Sequence, residues 1–346
     1  MEHKISPTRS SNFEFLRIVC MLMIIGGHFI GAHDTPYSLS NSDEIIKLLL
    51  LSFFCVATNC FVLISGYFGV RFKPERLFSL AFQTAVYSVG LTILAIISGW
   101  HVIDPKTDIL RFFPILFKQY WFITCYVVLY IISPLLNKWV KSMEKTEYRR
   151  ILVIGFAIIY IWPTLNFLVN AKQFINDSGY GIINFAYLYL LGRYLRIHYV
   201  DKLLPIAYWG GYFLCGAGLF LCQYVLSWLL GFEFTSWFSY NTVFVLIGSV
   251  SLFLAFKSID ILSRVINYWA SPCLAVYIIH LHPDVWSIVT KEIGISSFHG
   301  MSFVAIILSI PIVLYFICSV IELFRSYTMQ YVENRMYHTI TQRIAT

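Results

Sequence analysis

An arginine and a histidine within one apolar run are the first residues that invite a chemical reading. The run reads Asn12-Phe-Glu14-Phe-Leu-Arg17-Ile-Val-Cys-Met-Leu-Met-Ile-Ile-Gly26-Gly27-His28. At about 100° per residue, the step from Arg17 to His28 falls about 20° past three full turns. On a helix both side chains therefore share a face, roughly 16 Å apart along the axis. Glu14 lies one turn before Arg17, within ion-pair reach. Charged and titratable groups inside a membrane span are costly and mark function by default. A plainer reading stands beside this one. Glu14 and Arg17 would also serve as an interfacial anchor, and a lone histidine on an apolar face is more often a satisfied core group. The same-face arginine shifts that weighting somewhat toward chemistry. A guanidinium group suits the phosphates of an anionic donor. A neutral imidazole suits proton removal from an attacking hydroxyl.

Four other stretches carry polar groups where apolar ones are expected. They are Cys60-Phe-Val-Leu-Ile-Ser65-Gly66-Tyr67 with Arg71 beyond it; Gln119-Tyr120-Trp121-Phe122; Leu191-Gly192-Arg193-Tyr194-Leu195-Arg196; and Ser271-Pro272-Cys273-Leu-Ala-Val-Tyr277-Ile-Ile-His280-Leu-His282-Pro283. Each also has a structural reading: close helix packing at Ser65-Gly66, an aromatic belt at Trp121, and basic residues at a cytoplasmic boundary at Arg193. Tyr277 and His280, three apart, share a helix face.

These residues need elements to hold them, and composition says which. Of 346 residues, 58% are hydrophobic, 12% charged and 18% aromatic; a soluble domain carries about a quarter charged residues. The chain reads as all-α, a polytopic membrane protein of about ten transmembrane helices. The expected spans are 13–33, 45–68, 77–99, 120–138, 151–169, 180–197, 205–229, 240–257, 263–282 and 302–324. They form a single domain over 1–346, with short cytoplasmic tails at 1–12 and 325–346. The first run is read as a retained helix, since no small-residue cleavage signal accompanies it. With the N-terminus cytoplasmic, most Lys and Arg fall in inside loops, against Lys47, Lys106, Arg111, Lys118, Lys172 and Lys291 outside. The net charge of +7 thus reflects topology, and no nucleic-acid partner is expected. On this topology His28, Trp121, Tyr277 and His280 fall in the outer half of the membrane. Arg17, Ser65, Arg71, Arg193 and Arg196 fall in the inner half. The eight cysteines lie in apolar stretches without CxxC or zinc-like spacing, so no metal is expected.

Taken in order, Glu14-Phe-Leu-Arg17 through His28, Phe61-Val-Leu-Ile-Ser65-Gly66-Tyr67, Tyr120-Trp121-Phe122 with Pro134 closing that helix, Leu191-Gly192-Arg193, and Leu274-Ala-Val-Tyr277-Ile-Ile-His280 resemble the family-3 membrane acyltransferases, which modify bacterial surface sugars. The resemblance spans about residues 10 to 320. The Arg-x10-His of the first span is its most specific piece. It implies ten helices in a bacterial inner membrane and transfer of an acyl group, usually acetyl, from acyl-coenzyme A to a carbohydrate hydroxyl, possibly lipid-linked. It also implies that His28 is catalytic and that Arg17 matters for activity. Leu281-His282-Pro283 departs from the residues some relatives carry there, which leaves the role of His282 open.

On this reading Arg17, Arg193, Arg71 and Ser65 serve the coenzyme. Trp121, Tyr277 and His280 line the path of the sugar. His28 acts as general base or carries the acyl group as acyl-imidazole; both remain open. Two competitors lack this chemistry: a transporter or flippase of lipid-linked sugar, and a polysaccharide polymerase or ligase. The first lacks visible repeated halves. The second calls for a large outer loop, and the loops here are short.

Overall fold

The computed structural model describes residues 10–33, 41–169, 171, 177–231 and 238–345; Lys4, Arg9, Asp34 and Lys172 lie outside them. Fifteen α-helices follow one another among the described residues: α1 (Ser11–Ala32), α2 (Ser42–Phe54), α3 (Ala57–Phe68), α4 (Pro74–Ile97), α5 (Pro105–Arg111), α6 (Trp121–Ser142), α7 (Lys145–Phe156), α8 (Trp162–Leu168), α9 (Ile182–Ile197), α10 (Pro205–Leu230), α11 (Val243–Lys257), α12 (Arg264–Ala270), α13 (Cys273–His280), α14 (Pro283–Ile293) and α15 (Gly300–Ala345). Proline opens α4, α10 and α14, where its missing N–H costs nothing. Gly231 and Gly294 close α10 and α14 in the left-handed conformation. The outward faces are apolar, with Ile97, Leu214 and Phe324 among their exposed side chains.

Among the described residues, seven helical stretches are long and apolar enough to cross a membrane, with α2–α3 and α7–α8 each counted as one, or eight if a bent pair, Arg264–His280 with Pro283–Ser297, counts as one. The ten expected from sequence are therefore not all of spanning length. Expected spans 180–197 and 240–257 correspond to α9 and α11, of 16 and 15 residues. At 1.5 Å per residue each reaches only about 24 Å, short of the roughly 30 Å hydrocarbon layer. Two further boundaries differ. Pro134 does not close α6, which runs on to Ser142. A proline cannot donate to the carbonyl four residues back; here the Ser133 hydroxyl donates to that Tyr130 oxygen at 2.8 Å. The expected tail from 325 is a continuation of α15. Arg325 donates to both oxygens of Glu322 at 2.8 Å, and Tyr87 of α4 donates to Glu322 Oε2 at 2.6 Å. Farther along, Tyr337 donates to Glu75 at 3.0 Å. These bonds hold the extension against α4.

The core pairs α3 with α9 at backbone distance. A Cβ on Gly66 would lie 2.2 Å from the Tyr189 oxygen, and one on Gly192 would lie 2.5 Å from the Leu63 oxygen. Small residues permit this approach, which replaces the hydrophobic drive absent between helices in lipid. Near the chemistry the backbone breaks twice. α12 and α13 meet at Ser271-Pro272. After α13 the chain turns by 84°. His282, fully buried at that bend, lies 3.0 Å from Ser88 O and 3.1 Å from Thr92 Oγ1 of α4. The role left open for His282 in the sequence is thus to pin the bend to α4.

A charged cluster fastens the loop after α4 to α14. His101 places Nδ1 2.9 Å from Asp284 Oδ1 and Nε2 3.0 Å from Asp108. Arg111 donates to Asp284 Oδ2 at 2.6 Å. Carboxylates only accept, so this geometry asks for a proton on both ring nitrogens. The hydrogen bond to Asp108, with those to Asp284, raises the His101 pKa against the opposing effect of burial. Burial pushes the Asp108 carboxyl up, but His101 and the Asp104 N–H more than offset it and hold it below its ordinary value.

Two outcomes follow from this packing. Gly66→Ala should lower the melting temperature of the detergent-solubilised protein clearly, since overpacking costs about 1–3 kcal/mol. Gly90→Ala, with open space at its Cβ, should not. An unchanged melting temperature for Gly66→Ala would contradict the close α3–α9 contact. The His101 cluster gives the second. A raised folded-state pKa contributes stability that is complete below the unfolded value and lost as pH climbs through the folded one. Hydrogen-exchange protection of residues 101–111, corrected for intrinsic rates, should therefore fall as pH rises above 6.5. Protection independent of pH would contradict the charged His101 bridge.

Candidate functional site

α1 carries Arg17 and His28 on one face, as its period dictates, and both line one interior cavity of about 280 Å³. α3 adds Thr58 and Ser65; α6 adds Trp121, Phe122 and Tyr126; the α12–α13 break adds Ser271, Cys273 and Tyr277. α13 lies alongside α1 over the length of this cavity. At one end Cys273 Sγ donates to Arg17 O at 3.6 Å. At the other, His280 meets His28.

That meeting sets where the protons are. His280 Nδ1 lies 2.6 Å from Val276 O, and a carbonyl can only accept. In its neutral form His280 therefore carries its proton on Nδ1, and Nε2 is a lone pair. His28 Nδ1 stands 3.1 Å from that Nε2, so it is the donor. His28 Nε2 is left as the unprotonated nitrogen. The tautomers are assigned from these partners. His28 reaches the cavity while His280, 2% exposed, is buried behind it. Trp286 of α14 stands edge-on to His28, with ring centroids 6.2 Å apart.

A second cavity of about 680 Å³ adjoins the first, and Arg17, Ser65, Leu80 and Tyr126 line both. Arg71, Lys73 and Arg76, at the start of α4 and just before it, give this second cavity a basic wall. Arg17 is held toward it by Glu14, Nη1 to Oε1 2.8 Å. Ser65 donates to Phe61 O at 3.1 Å and to Tyr126 Oη at 3.4 Å. Polar groups thus run from the basic wall, past Arg17, to His28.

Several side chains stand apart from their expected places. Arg193 lines neither cavity. It donates to Tyr67 O at 3.4 Å, at the C-terminal end of α3, where a cation meets the helix dipole favourably. Gly69 leaves room for it, since a Cβ there would lie 2.6 Å from Arg193 Nη1. His280 backs His28 and does not line the path. Gly26, two residues before His28, admits the ring of Phe54 of α2, 2.9 Å from where a Cβ would sit. Trp121, expected as an aromatic belt or sugar contact, stacks on Tyr240 at 5.7 Å and packs against Tyr180 at 4.5 Å. Tyr240 and Thr58 line the cavity with it. Neither carries a signal along the chain, because each arrives from a distant element. The same is true of His33, Asp43 and His299, whose ligand atoms lie within 4.8 Å of one another. His299 and the Gly300 N–H both donate to Asp43 at 2.7 Å, which ties α2 to the start of α15.

The family model described as "Acyltransferase domain", Acyl_transf_3, matches residues 10–322. No curated protein matches the chain. No solved structure matches it either.

Proposed function

The chain belongs to the acyltransferase 3 family, and from that premise we propose that it transfers an acyl group, acetyl first among candidates, from acyl-coenzyme A to a hydroxyl of a surface or exopolysaccharide sugar. The observation that carries this reading is the His28–His280 hydrogen bond, which assigns the lone pair to His28 Nε2, at a cavity that adjoins a basic one. The coenzyme's phosphates would sit against Arg71, Lys73 and Arg76, with Arg17 at the passage between cavities; guanidinium groups match phosphate oxygens. The thioester would lie between Arg17 and His28. The sugar would approach the Trp121 and Tyr240 side, where aromatic faces suit the apolar faces of a pyranose. On the lysine and arginine distribution, the basic cavity faces the cytoplasm of a bacterial inner membrane.

The transfer then runs as a balanced proton cycle. The sugar oxygen bonds to the thioester carbon as its proton passes to His28 Nε2. His28 Nδ1–H stays bonded to His280, which spreads the charge of the new imidazolium. When the tetrahedral adduct collapses, the C–S bond breaks and the leaving thiolate takes the proton back from His28. His280 is thus a positioning residue: it holds His28 in the tautomer that leaves Nε2 basic. Arg193 holds the α3 end and is not assigned to the donor.

The test is transfer of radiolabelled acetyl from acetyl-coenzyme A into envelope glycan by membranes with matched protein levels. His28→Ala should lower transfer by about 10²–10⁴-fold; near-normal transfer would sink the general-base role. His280→Ala should lower kcat and shift the pH profile while leaving the KM for donor nearly unchanged. A normal profile would remove its positioning role. Replacing Arg71, Lys73 or Arg76 by alanine should raise the KM for coenzyme A thioester by about tenfold, since a charged hydrogen bond contributes about 1.5–3 kcal/mol. An unaffected KM would place the phosphates elsewhere. Substrate flux across the membrane without thioester consumption would favour the transporter reading.

A further inference from the structure

The cavity wall holds a polar atom for which the proton cycle has no use. Tyr277 is 5% exposed and lines the cavity beside His28 and Arg17; the Phe122 N–H of α6 is directed at its oxygen, and its own O–H finds no acceptor. Other hydroxyls of the same wall are engaged with each other, as Ser65 and Tyr126 are. Buried polar groups in native proteins are nearly always partnered, so a spare donor facing a cavity calls for an explanation.

Its neighbourhood says which kind of atom. Tyr277 stands one turn before His280 on α13, with ring centroids 6.0 Å apart. Cys273, a turn before that, reaches the Arg17 backbone. The phenol therefore lies on the wall between Arg17 and His28, the stretch assigned to the thioester. Facing it is the first turn of α6. Phe122 and Tyr277 have ring centroids 5.7 Å apart, and Trp121 and Phe122 line the cavity.

We infer that the Tyr277 hydroxyl, set against the first turn of α6, is the oxyanion donor of the transfer, giving its O–H to the carbonyl oxygen of the acyl thioester. This rests on the acyltransferase reading above. As the sugar oxygen bonds to the carbonyl carbon, its proton passes to His28 and the carbonyl π pair moves onto oxygen. The Tyr277 O–H donates to that oxygen and keeps its proton. The pair then returns, the C–S bond breaks, and the thiolate leaves with the proton from His28. Tyr277 is a catalytic residue in this account, since it touches the reacting oxygen. Its hydrogen bond strengthens as charge develops, so its contribution falls on kcat.

Tyr277→Phe tests this, because it keeps the ring against Tyr120 and Phe122 and removes only the oxygen. With acetyl-coenzyme A as probe, kcat should fall by about 10²–10³-fold while the KM for donor changes less than about threefold. The melting temperature of the purified variant should stay close to that of wild type, since the O–H donates to no protein atom. A kcat within about threefold of wild type would overturn the oxyanion role. So would lost activity with a lowered melting temperature, which marks a structural role. Wild type that is folded yet inactive with both acetyl- and succinyl-coenzyme A would overturn the acyltransferase reading and this role with it. Wild type active, His28→Ala inactive and Tyr277→Phe fully active would overturn the oxyanion role alone.

Discussion

A carbonyl oxygen can accept a hydrogen bond but not donate one, and at Val276 that asymmetry governs two imidazoles. It places the proton of His280 on Nδ1, hence the proton of His28 on its own Nδ1, hence a lone pair on the nitrogen left over. A carboxylate would do the same job in a wet site. Inside a membrane a carboxylate is a costly charge, and a backbone carbonyl on a helix already provided is not. The price is geometric: the relay works only if α1 and α13 keep their mutual register to within a hydrogen bond.

Much of the fold can be understood as keeping that register. The Cys273 contact to Arg17 O sets one end of α13 against α1, and the His28–His280 bond sets the other. The chain cannot run on straight past His280, because His282 fixes the bend to α4 through Ser88 and Thr92. α14 is fastened in turn by Asp284 to His101 and Arg111. On the other side, α3 brings Thr58 and Ser65 to the cavity and is seated on α9 through Gly66 and Gly192. Such contacts leave little slack, which a site built on positioning requires.

What the sequence made legible follows helix geometry. Arg17 and His28 share a face because their separation is close to a whole number of turns, and the structure has both on one cavity. Ser65, Trp121 and Tyr277 also line it, and Arg71 lines the adjoining one. The all-α membrane fold was legible from composition, and family membership from motifs in order. Relations between elements were not. Nothing along the chain says that His280 lies behind His28, that Arg193 turns to the end of α3, or that Tyr240 stacks on Trp121. Those follow from tertiary contacts over long separations. The count of ten spans is left unconfirmed, with seven or eight helices of spanning length among the described residues. α9 and α11, read from the sequence as spans, are 16 and 15 residues long. Pro134 misled because its breaking effect is offset by the neighbouring Ser133 hydroxyl.

On the function proposed, the donor lies across the two adjoining cavities, with phosphates at the basic end and thioester at the histidine end. The most direct measurement is a cryo-electron microscopy map of the protein with an unreactive thioether analogue of acetyl-coenzyme A. The account expects the phosphates against Arg71, Lys73 and Arg76, the acyl carbonyl between Tyr277 and His28 Nε2, and the pantetheine arm past Arg17. Analogue bound at the opposite mouth, or with its acyl end away from His28, would contradict it.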